Sequence, residues 1–274
     1  MEQFLHDFSI TDEDFRTLVQ FMHKNYGIDL SKKRQLISSR LTNSLRERGY
    51  QDFRSFLNHL LKKQDPADLE LVLNKLTTNY TFFMREKEHF TYFHDQILPE
   101  LSKRHQNDRV LSIWSAGCSS GEEPYTLSIY LKEFFGPQSS YWDTRVLATD
   151  ISQQALSKAM AGVYQRPADM PESWLQRYFT LDKGTGLYTV SKPIRDNVIF
   201  RTFNLMDPIR FKLKFDVIFC RNVMIYFDQP TRDALVQRFY DAMTPGGWFF
   251  ISHSESLGQS PLFQMAAPAV YRKK

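Results

Sequence analysis

Two regimes of hydrophobic spacing divide this chain. Over residues 10–76 the apolar positions recur at helical intervals. Thr11 precedes the acids Asp12, Glu13 and Asp14 and then apolar Phe15, Leu18, Val19 and Met22, a helix-start signal that Gly27 closes. A second helix is predicted from near Ser31 to Arg48, ended by Gly49, with Ile37, Leu41 and Leu45 on its apolar face. Residues 51–63 and 68–76 complete a small helical module. From Arg109 onward the period changes. Short apolar runs at 110–115, 146–150, 198–204, 215–221 and 248–253 read as strands, and 122–135, 153–161 and 231–243 read as helices. Such alternation predicts a mostly parallel α/β sheet with helices on both faces. A last strand, 264–273, follows without an intervening helix and should pair antiparallel at that edge. Between 161 and 197 the alternation breaks. Residues 175–181, the Gly184 and Gly186 turn, and 187–190 read as an inserted hairpin.

The first strand runs into a small-residue loop, Ala116-Gly117-Cys118-Ser119-Ser120-Gly121, which opens a helix at Glu122-Glu123-Pro124. Gly117 and Gly121 permit a tight turn and close approach of a ligand. In open α/β sheets, nucleotide-like ligands bind beyond such strand ends. A diphosphate would seek the positive helix terminus, but Glu122 and Glu123 stand there and would repel it. They suit a ligand with hydroxyls and positive charge, such as S-adenosylmethionine. Asp150 ends the second strand, where an acid accepts ribose hydroxyls. Two plainer readings stand beside these: Asp150 as a helix N-cap, a task Ser152 could perform itself, and the glutamates as favourable first-turn charges. Spacing alone thus nominates Gly117, Gly121, Glu123 and Asp150.

Composition narrows the class. The chain has 274 residues, 42% hydrophobic and 24% charged, with a net charge of +4, the makeup of a globular protein with a sizeable core. The opening residues Met1-Glu2-Gln3-Phe4-Leu5-His6-Asp7 lack a basic region followed by an apolar run, so no signal peptide is expected. No apolar stretch is long enough to span a membrane. Two cysteines, Cys118 and Cys220, make neither a disulfide framework nor a four-ligand zinc site. The expected compartment is the cytoplasm, and no metal is expected. Lys33, Arg34, Arg40, Arg46 and Arg48 crowd one helix. That helix has three readings: a solvated face, a docking surface for an acidic protein, or a nucleic-acid contact. The last is disfavoured because no aromatics interleave the charges.

Four segments in order carry a resemblance: Asn79-Tyr80-Thr81-Phe82-Phe83-Met84-Arg85-Glu86, the Ser120-Gly121-Glu122-Glu123-Pro124 loop, Cys220-Arg221-Asn222-Val223-Met224-Ile225-Tyr226-Phe227, and Gly246-Gly247-Trp248 with the exit at His253. Over nearly its whole length the chain resembles the CheR family of chemotaxis-receptor methyltransferases. The resemblance implies a doubly wound, Rossmann-like methyltransferase sheet (78–274) that holds the inserted β-subdomain (165–197), with an N-terminal all-helical receptor-docking domain (1–77). It implies methyl transfer from S-adenosylmethionine to glutamate side chains of chemoreceptor cytoplasmic helices, leaving S-adenosylhomocysteine. Positions matching the family's cofactor motifs are Asn79, Thr81, Arg85, Gly117, Glu123, Asp150, Asn204, Leu205, Arg221 and Asn222. Arg85 and Tyr226 match the transfer site. Arg85 paired with Glu88, and Tyr226 in a core, are the plainer alternatives, and His253 reads as a strand-end structural residue.

The implied enzyme is a cytoplasmic monomer recruited to membrane-associated receptor arrays, with no nucleic acid and no membrane insertion. In some family members the inserted hairpin pairs with a receptor C-terminal peptide; the short turn at 182–187 argues against that tether here. A dehydrogenase would want G-x-G-x-x-G, which residues 117–121 do not supply. A nucleic-acid methyltransferase or a non-catalytic array module are the remaining rivals. The loop after the fourth strand lacks the motif of adenine methylases, and the site residues are intact.

Overall fold

The computed structural model describes residues 8–63, 65–77 and 79–274. The N-terminal residues on which the signal-peptide expectation rests lie outside them, as do Gln64 and Thr78. The described chain forms two compact units, one from the residues up to 77 with Tyr226–Thr231, the other from the remainder. Among the described residues no helix is long and apolar enough to cross a membrane.

The helical unit follows its hydrophobic pattern. Helix α1 (Asp12–Tyr26) starts where Thr11 Oγ1 accepts the Asp14 N–H at 3.1 Å and stops at Gly27, whose φ is 69°. Helix α2 (Arg34–Glu47) buries Ile37, Leu41 and Leu45 as the spacing requires. Helix α3 (Phe53–Lys63) begins later than expected, after Asp52 accepts the Ser55 N–H at 2.7 Å. Helix α4 (Pro66–Leu76) begins earlier, because Asp65 caps it and Pro66 fits the first turn. The basic side chains of α2 are largely engaged within this unit. Arg34 pairs with Asp12, Arg40 donates to the Lys75 carbonyl at 3.1 Å, Arg46 lies over Phe8 at 5.2 Å, and Arg48 pairs with Asp68 at 2.9 Å. In the segment Tyr226–Thr231, the Tyr226 carbonyl accepts the Asp29 N–H at 2.8 Å and Asp228 meets His23 at 2.9 Å.

The second unit opens with α5 (Lys87–Tyr92), a π-turn (Phe93–Ile97) and α6 (Leu98–Arg104), an interval to which the sequence reading assigns no element. Phe90, Phe93, Ile97, Leu98 and Leu101 are buried along it, at the i, i+3, i+7, i+8 and i+11 spacing of a helix face, a helical period that the expected elements above leave out. Then come β1 (Ile113–Ala116), α7 (Glu122–Phe135), β2 (Val146–Asp150), α8 (Gln153–Ala161) and β3 (Val163–Tyr164). The next elements are α9 (Glu172–Tyr178), β4 (Phe179–Leu181), β5 (Tyr188–Val190), α10 (Lys192–Arg195), β6 (Val198–Thr202) and β7 (Phe215–Phe219). Helix α11 (Gln229–Ala242) leads to β8 (Met243–Phe250), β9 (Phe263–Ala267) and β10 (Val270–Lys273).

Seven of the described strands form one sheet in the order β6-β2-β1-β7-β8-β10-β9. The first five run parallel, and β10 inserts antiparallel between β8 and β9. This bears out the α/β, doubly wound expectation, with two corrections. The single C-terminal strand is a hairpin, because the chain reverses at Pro268–Ala269, where Ala269 has φ of 57°; the edge is therefore β9. In the insertion, most of the expected first arm is helix α9, and the small sheet β3-β5-β4 also recruits Val163–Tyr164, ahead of 165. The large sheet's core packs Trp114 against Phe203, Phe211 and Phe239, and stacks Phe219 on Phe250 at 4.2 Å.

Asp68 is the polar hub of the helical unit. It is 2% exposed and accepts from Arg48 at 2.9 Å, from Tyr50, and from His59 at 2.7 Å. Asp68→Ala should cost about 3 kcal/mol, the scale of breaking a buried ionic network, read as a lower urea midpoint for the full chain. Burial first, and the Asp68 hydrogen bond second, push the Tyr50 phenol up to about 12 from 10.0. A raised phenol contributes stability that is complete below the unfolded value and lost as pH rises through the folded one. Thermal stability should therefore fall between these two pH values, and less steeply in Asp68→Ala.

Candidate functional site

Parallel strands on either side of a topological switch leave a crevice at their C-terminal ends. Here the order reverses between β1 and β7, so the loops after β1, β2 and β7 are brought together. The β1 loop turns at Gly117, whose φ is 82°, and its N–H donates to the Thr149 carbonyl at 2.8 Å. A Cβ at Gly117 would collide with the Val223 side chain, so glycine is required by both conformation and space. At Gly121, with φ of 96°, a Cβ would meet Ala159 Cβ at 2.8 Å.

Arg221 joins these loops. It follows β7, is 6% exposed, and donates through Nη1 to Glu123 at 2.9 Å and through Nη2 to the Arg85 carbonyl. Its Nη2 also lies 3.2 Å from Glu86 Oε2, and the guanidinium stands over Phe90 at 5.2 Å. Glu123 accepts from the buried Ser115 hydroxyl at 2.7 Å as well. The two glutamates of the loop therefore behave differently, which corrects their reading as a matched pair facing a ligand. Glu122 is buried and accepts from Ser120 Oγ at 2.8 Å; burial pushes its carboxyl above the ordinary range. Its place is inside the turn.

Asp150 accepts two backbone N–H groups, from Ser119 at 2.8 Å and Ser152 at 2.9 Å. Ser152 caps α8 itself, accepting from Ala155 at 2.9 Å, so the N-cap alternative for Asp150 is not what forms. Both oxygens of the Asp150 carboxylate are thus held by backbone donors of the loops after β1 and β2. Asn79 is exposed, and its carbonyl accepts from Ser119 Oγ at 3.0 Å; Thr81 is half-buried two residues on. Arg85 donates to the Tyr80 carbonyl at 2.8 Å rather than pairing with Glu88 among the described residues. After β6, Phe203 donates to the Asp150 carbonyl at 3.1 Å, while Asn204 Oδ1 accepts the Met206 N–H at 3.0 Å. The buried Leu205 accepts from Arg238 through its carbonyl at 2.7 Å. Asn222 has φ of 59° and donates its N–H to Glu255 at 3.2 Å.

Ser115, Ser119, Glu86 and Glu255 escape the sequence reading. Glu255 accepts from Asn222, from Ser252 N–H at 2.8 Å and from Ser252 Oγ at 2.7 Å, so it secures the exits of both β7 and β8. Positive φ is costly for residues other than glycine. Of the six described non-glycine residues that adopt it, Met84, Glu86, Ser119 and Asn222 lie in these loops. Only Asn222 is of a residue type that hints at this conformation. Cys118 and Cys220 are buried thiols, pushed up by that burial and so protonated at neutral pH.

Residues 79–271 match a family described as "CheR methyltransferase, SAM binding domain", and residues 13–77 match "CheR methyltransferase, all-alpha domain". The chain belongs to the CheR methyltransferase family. A chemotaxis protein methyltransferase of Borreliella burgdorferi is 37% identical over 271 residues, covering 97% of this chain and 95% of that protein. Chemotaxis protein methyltransferase 1 of Pseudomonas aeruginosa is 36% identical over 276 residues, covering 97% and 100%. The Salmonella typhimurium chemotaxis protein methyltransferase is 36% identical over 254 residues, covering 90% and 85%. The expected family, the S-adenosylmethionine-dependent methyltransferase activity and its place in chemotaxis are thus borne out.

The residues present suit that cofactor. The Gly117 turn is closed to any side chain, and acidic groups outnumber the one buried cation at the crevice, as a sulfonium and an amine require. Arg221→Met should destabilise the chain by about 3 kcal/mol, because it strands Glu123 and Glu86 without their cation. The check is chemical denaturation alongside calorimetric titration of S-adenosylhomocysteine, which should bind at least tenfold more weakly.

Proposed function

We propose that this CheR-family enzyme methylates glutamate carboxylates on the cytoplasmic helices of chemoreceptors. The observation that carries the reading is the convergence of Gly117, Glu123, Asp150, Arg221 and Asn222 at the switch point of the sheet, in a chain matched from end to end by chemotaxis methyltransferases. Bound S-adenosylmethionine supplies an activated methyl group on a sulfonium. A glutamate with a pKa near roughly 4.3 is already an anion at neutral pH, so the protein need not remove a proton. Its work is alignment in a water-poor crevice. Asp150 receives the ribose hydroxyls, Asn79, Thr81, Asn204, Leu205 and Asn222 complete the cofactor cradle, and Arg221 holds Glu123 and the Arg85 backbone in register. Arg85 orients the incoming carboxylate through its guanidinium, and Tyr226 lines the transfer site.

The helical domain (1–77) docks on the acid-rich receptor helices and 78–274 is the catalytic domain. Because Arg34, Arg40 and Arg48 are engaged within the helical unit, the exposed Lys33 and Arg46 are the better tests of docking. The hairpin in 165–197 works without a receptor-peptide tether. Its turn is pulled tight by Asp182, which accepts from Gly184 N–H at 2.8 Å and from Thr185 Oγ1 at 2.9 Å, leaving little chain to wrap a peptide. The enzyme acts as a cytoplasmic monomer at receptor arrays.

Asp150→Ala should weaken S-adenosylhomocysteine binding by roughly 1.5–3 kcal/mol, the worth of charge-assisted hydrogen bonds; calorimetry with unchanged affinity would remove Asp150 from the cradle. Arg85→Ala and Tyr226→Phe should lower turnover at saturating cofactor while the fold persists. Receptor methylation should show no ionisation near pH 7 that belongs to an enzyme base, and a basic limb abolished by replacing one histidine would contradict the mechanism. Lys33→Glu with Arg46→Glu should slow receptor association and flatten its salt dependence, leaving cofactor affinity unchanged.

A further inference from the structure

Beside the cofactor loops lies a group of side chains that methyl transfer does not use. Glu86 precedes α5, His89 is in its first turn, and His253 follows β8. Each offers one ligating atom, and the three atoms lie within 4.8 Å of one another. Glu86 Oε2 and His89 Nδ1 stand 3.3 Å apart, and both are buried without a hydrogen-bond partner. The other ring nitrogen of His89, Nε2, faces the Pro268 carbonyl at 3.3 Å. A carbonyl can only accept, so Nε2 carries the proton and Nδ1 presents a lone pair. The ring is 1% exposed, a setting that favours the neutral form. A carboxylate oxygen and an imidazole lone pair therefore confront each other in a buried space. Arg221 Nη2 partly offsets the charge on Glu86 from 3.2 Å, but it leaves His89 Nδ1 unanswered.

We propose that Glu86, His89 and His253 bind one divalent transition-metal ion of the zinc class. Zinc bonds to nitrogen and oxygen of about 2.0–2.1 Å place adjacent tetrahedral ligands roughly 3.3 Å apart, the separation already present between Glu86 and His89. Two imidazoles and a carboxylate select zinc and its neighbours over magnesium or calcium, which prefer all-oxygen shells. The contact from Nε2 to Pro268 is the outer hydrogen bond that orients metal-bound histidines. His253 is exposed, with its ring 4.5 Å from that of His89, so a side-chain rotation closes the third bond and leaves the fourth position to water. The other such group among the described residues, His59, Asp65 and Asp68, lacks this frustration, because Arg48 and Tyr50 already donate to Asp68. Glu86 and His89 stand three residues apart, and His253 lies far from both in the sequence, so spacing alone does not join the third ligand to the pair.

The test uses the full chain without a polyhistidine tag. Cobalt(II) titration, followed by visible absorption, should show one saturating equivalent that zinc displaces. His253→Ala should weaken zinc at least about tenfold, on the scale of losing support from a metal ligand, and His253→Asp should restore most of the affinity. Folding of the variants is checked by their S-adenosylhomocysteine affinity, which His253→Ala should leave unchanged. Absence of one-to-one binding, binding indifferent to His253→Ala, or a cobalt–thiolate band from a cysteine would each overturn the assignment.

Discussion

A guanidinium taken out of water must have its charge matched and its donors occupied, or the interior rejects it. Arg221 meets most of that demand with partners from two separate loops of the second unit: Glu123 at the start of α7, and Glu86 with the adjacent Arg85 carbonyl ahead of α5, its Nε alone having no hydrogen-bond partner. The strands alone would bring their ends to a common rim. It is the buried cation that draws the loops beyond them to fixed positions. Ser115 and Glu255 extend the arrangement, the one bracing Glu123 and the other holding Asn222 and the β8 exit. A cofactor entering such a rim meets groups whose own hydrogen bonds are already made, so little reorganisation remains for binding to bring about.

That rigidity carries backbone strain. Met84, Glu86, Ser119 and Asn222 hold positive φ in the same loops where Gly117 and Gly121 turn. Residues with a Cβ persist there only when surrounding contacts over-determine them; Arg221 does so for Glu86, Glu255 for Asn222, and Asp150 with the Asn79 carbonyl for Ser119. The same pocket of constraint leaves Glu86 Oε2 and His89 Nδ1 facing each other, an electrostatic conflict that a bound cation would relieve. Burial and the nearby Arg221 hold the His89 ring below its ordinary range.

The helical unit solves a similar problem on its own scale, with a buried anion in place of a cation. Asp68 gathers Arg48, Tyr50 and His59, and so converts part of an apparently surplus basic stripe into internal structure. Arg34 and Arg40 are likewise bound to Asp12 and a carbonyl. A run of like charges in sequence thus says little about how much charge is offered to a partner, because long cationic side chains reach back to acids and carbonyls of neighbouring helices.

Local physics was readable in the chain itself. Thr11 and Gly27 bound α1, Ile37, Leu41 and Leu45 mark the inner face of α2, and the switch from helical spacing to alternating strands and helices announces a doubly wound sheet. Gly117 and Asp150 were legible for the same reason: a turn that excludes Cβ and an acid at a strand end are local requirements. The CheR motifs extended that reading to Arg221 and Asn222, though by likeness and not by spacing. Tertiary structure decided the rest. The reversal at Pro268–Ala269 split one apolar stretch into two strands. Which of Glu122 and Glu123 meets Arg221, and that Glu86, His89 and His253 come together, depend on contacts between residues far apart in the chain. No local rule encodes those contacts, because burial and pairing exist only once the sheet has brought its loops to one rim.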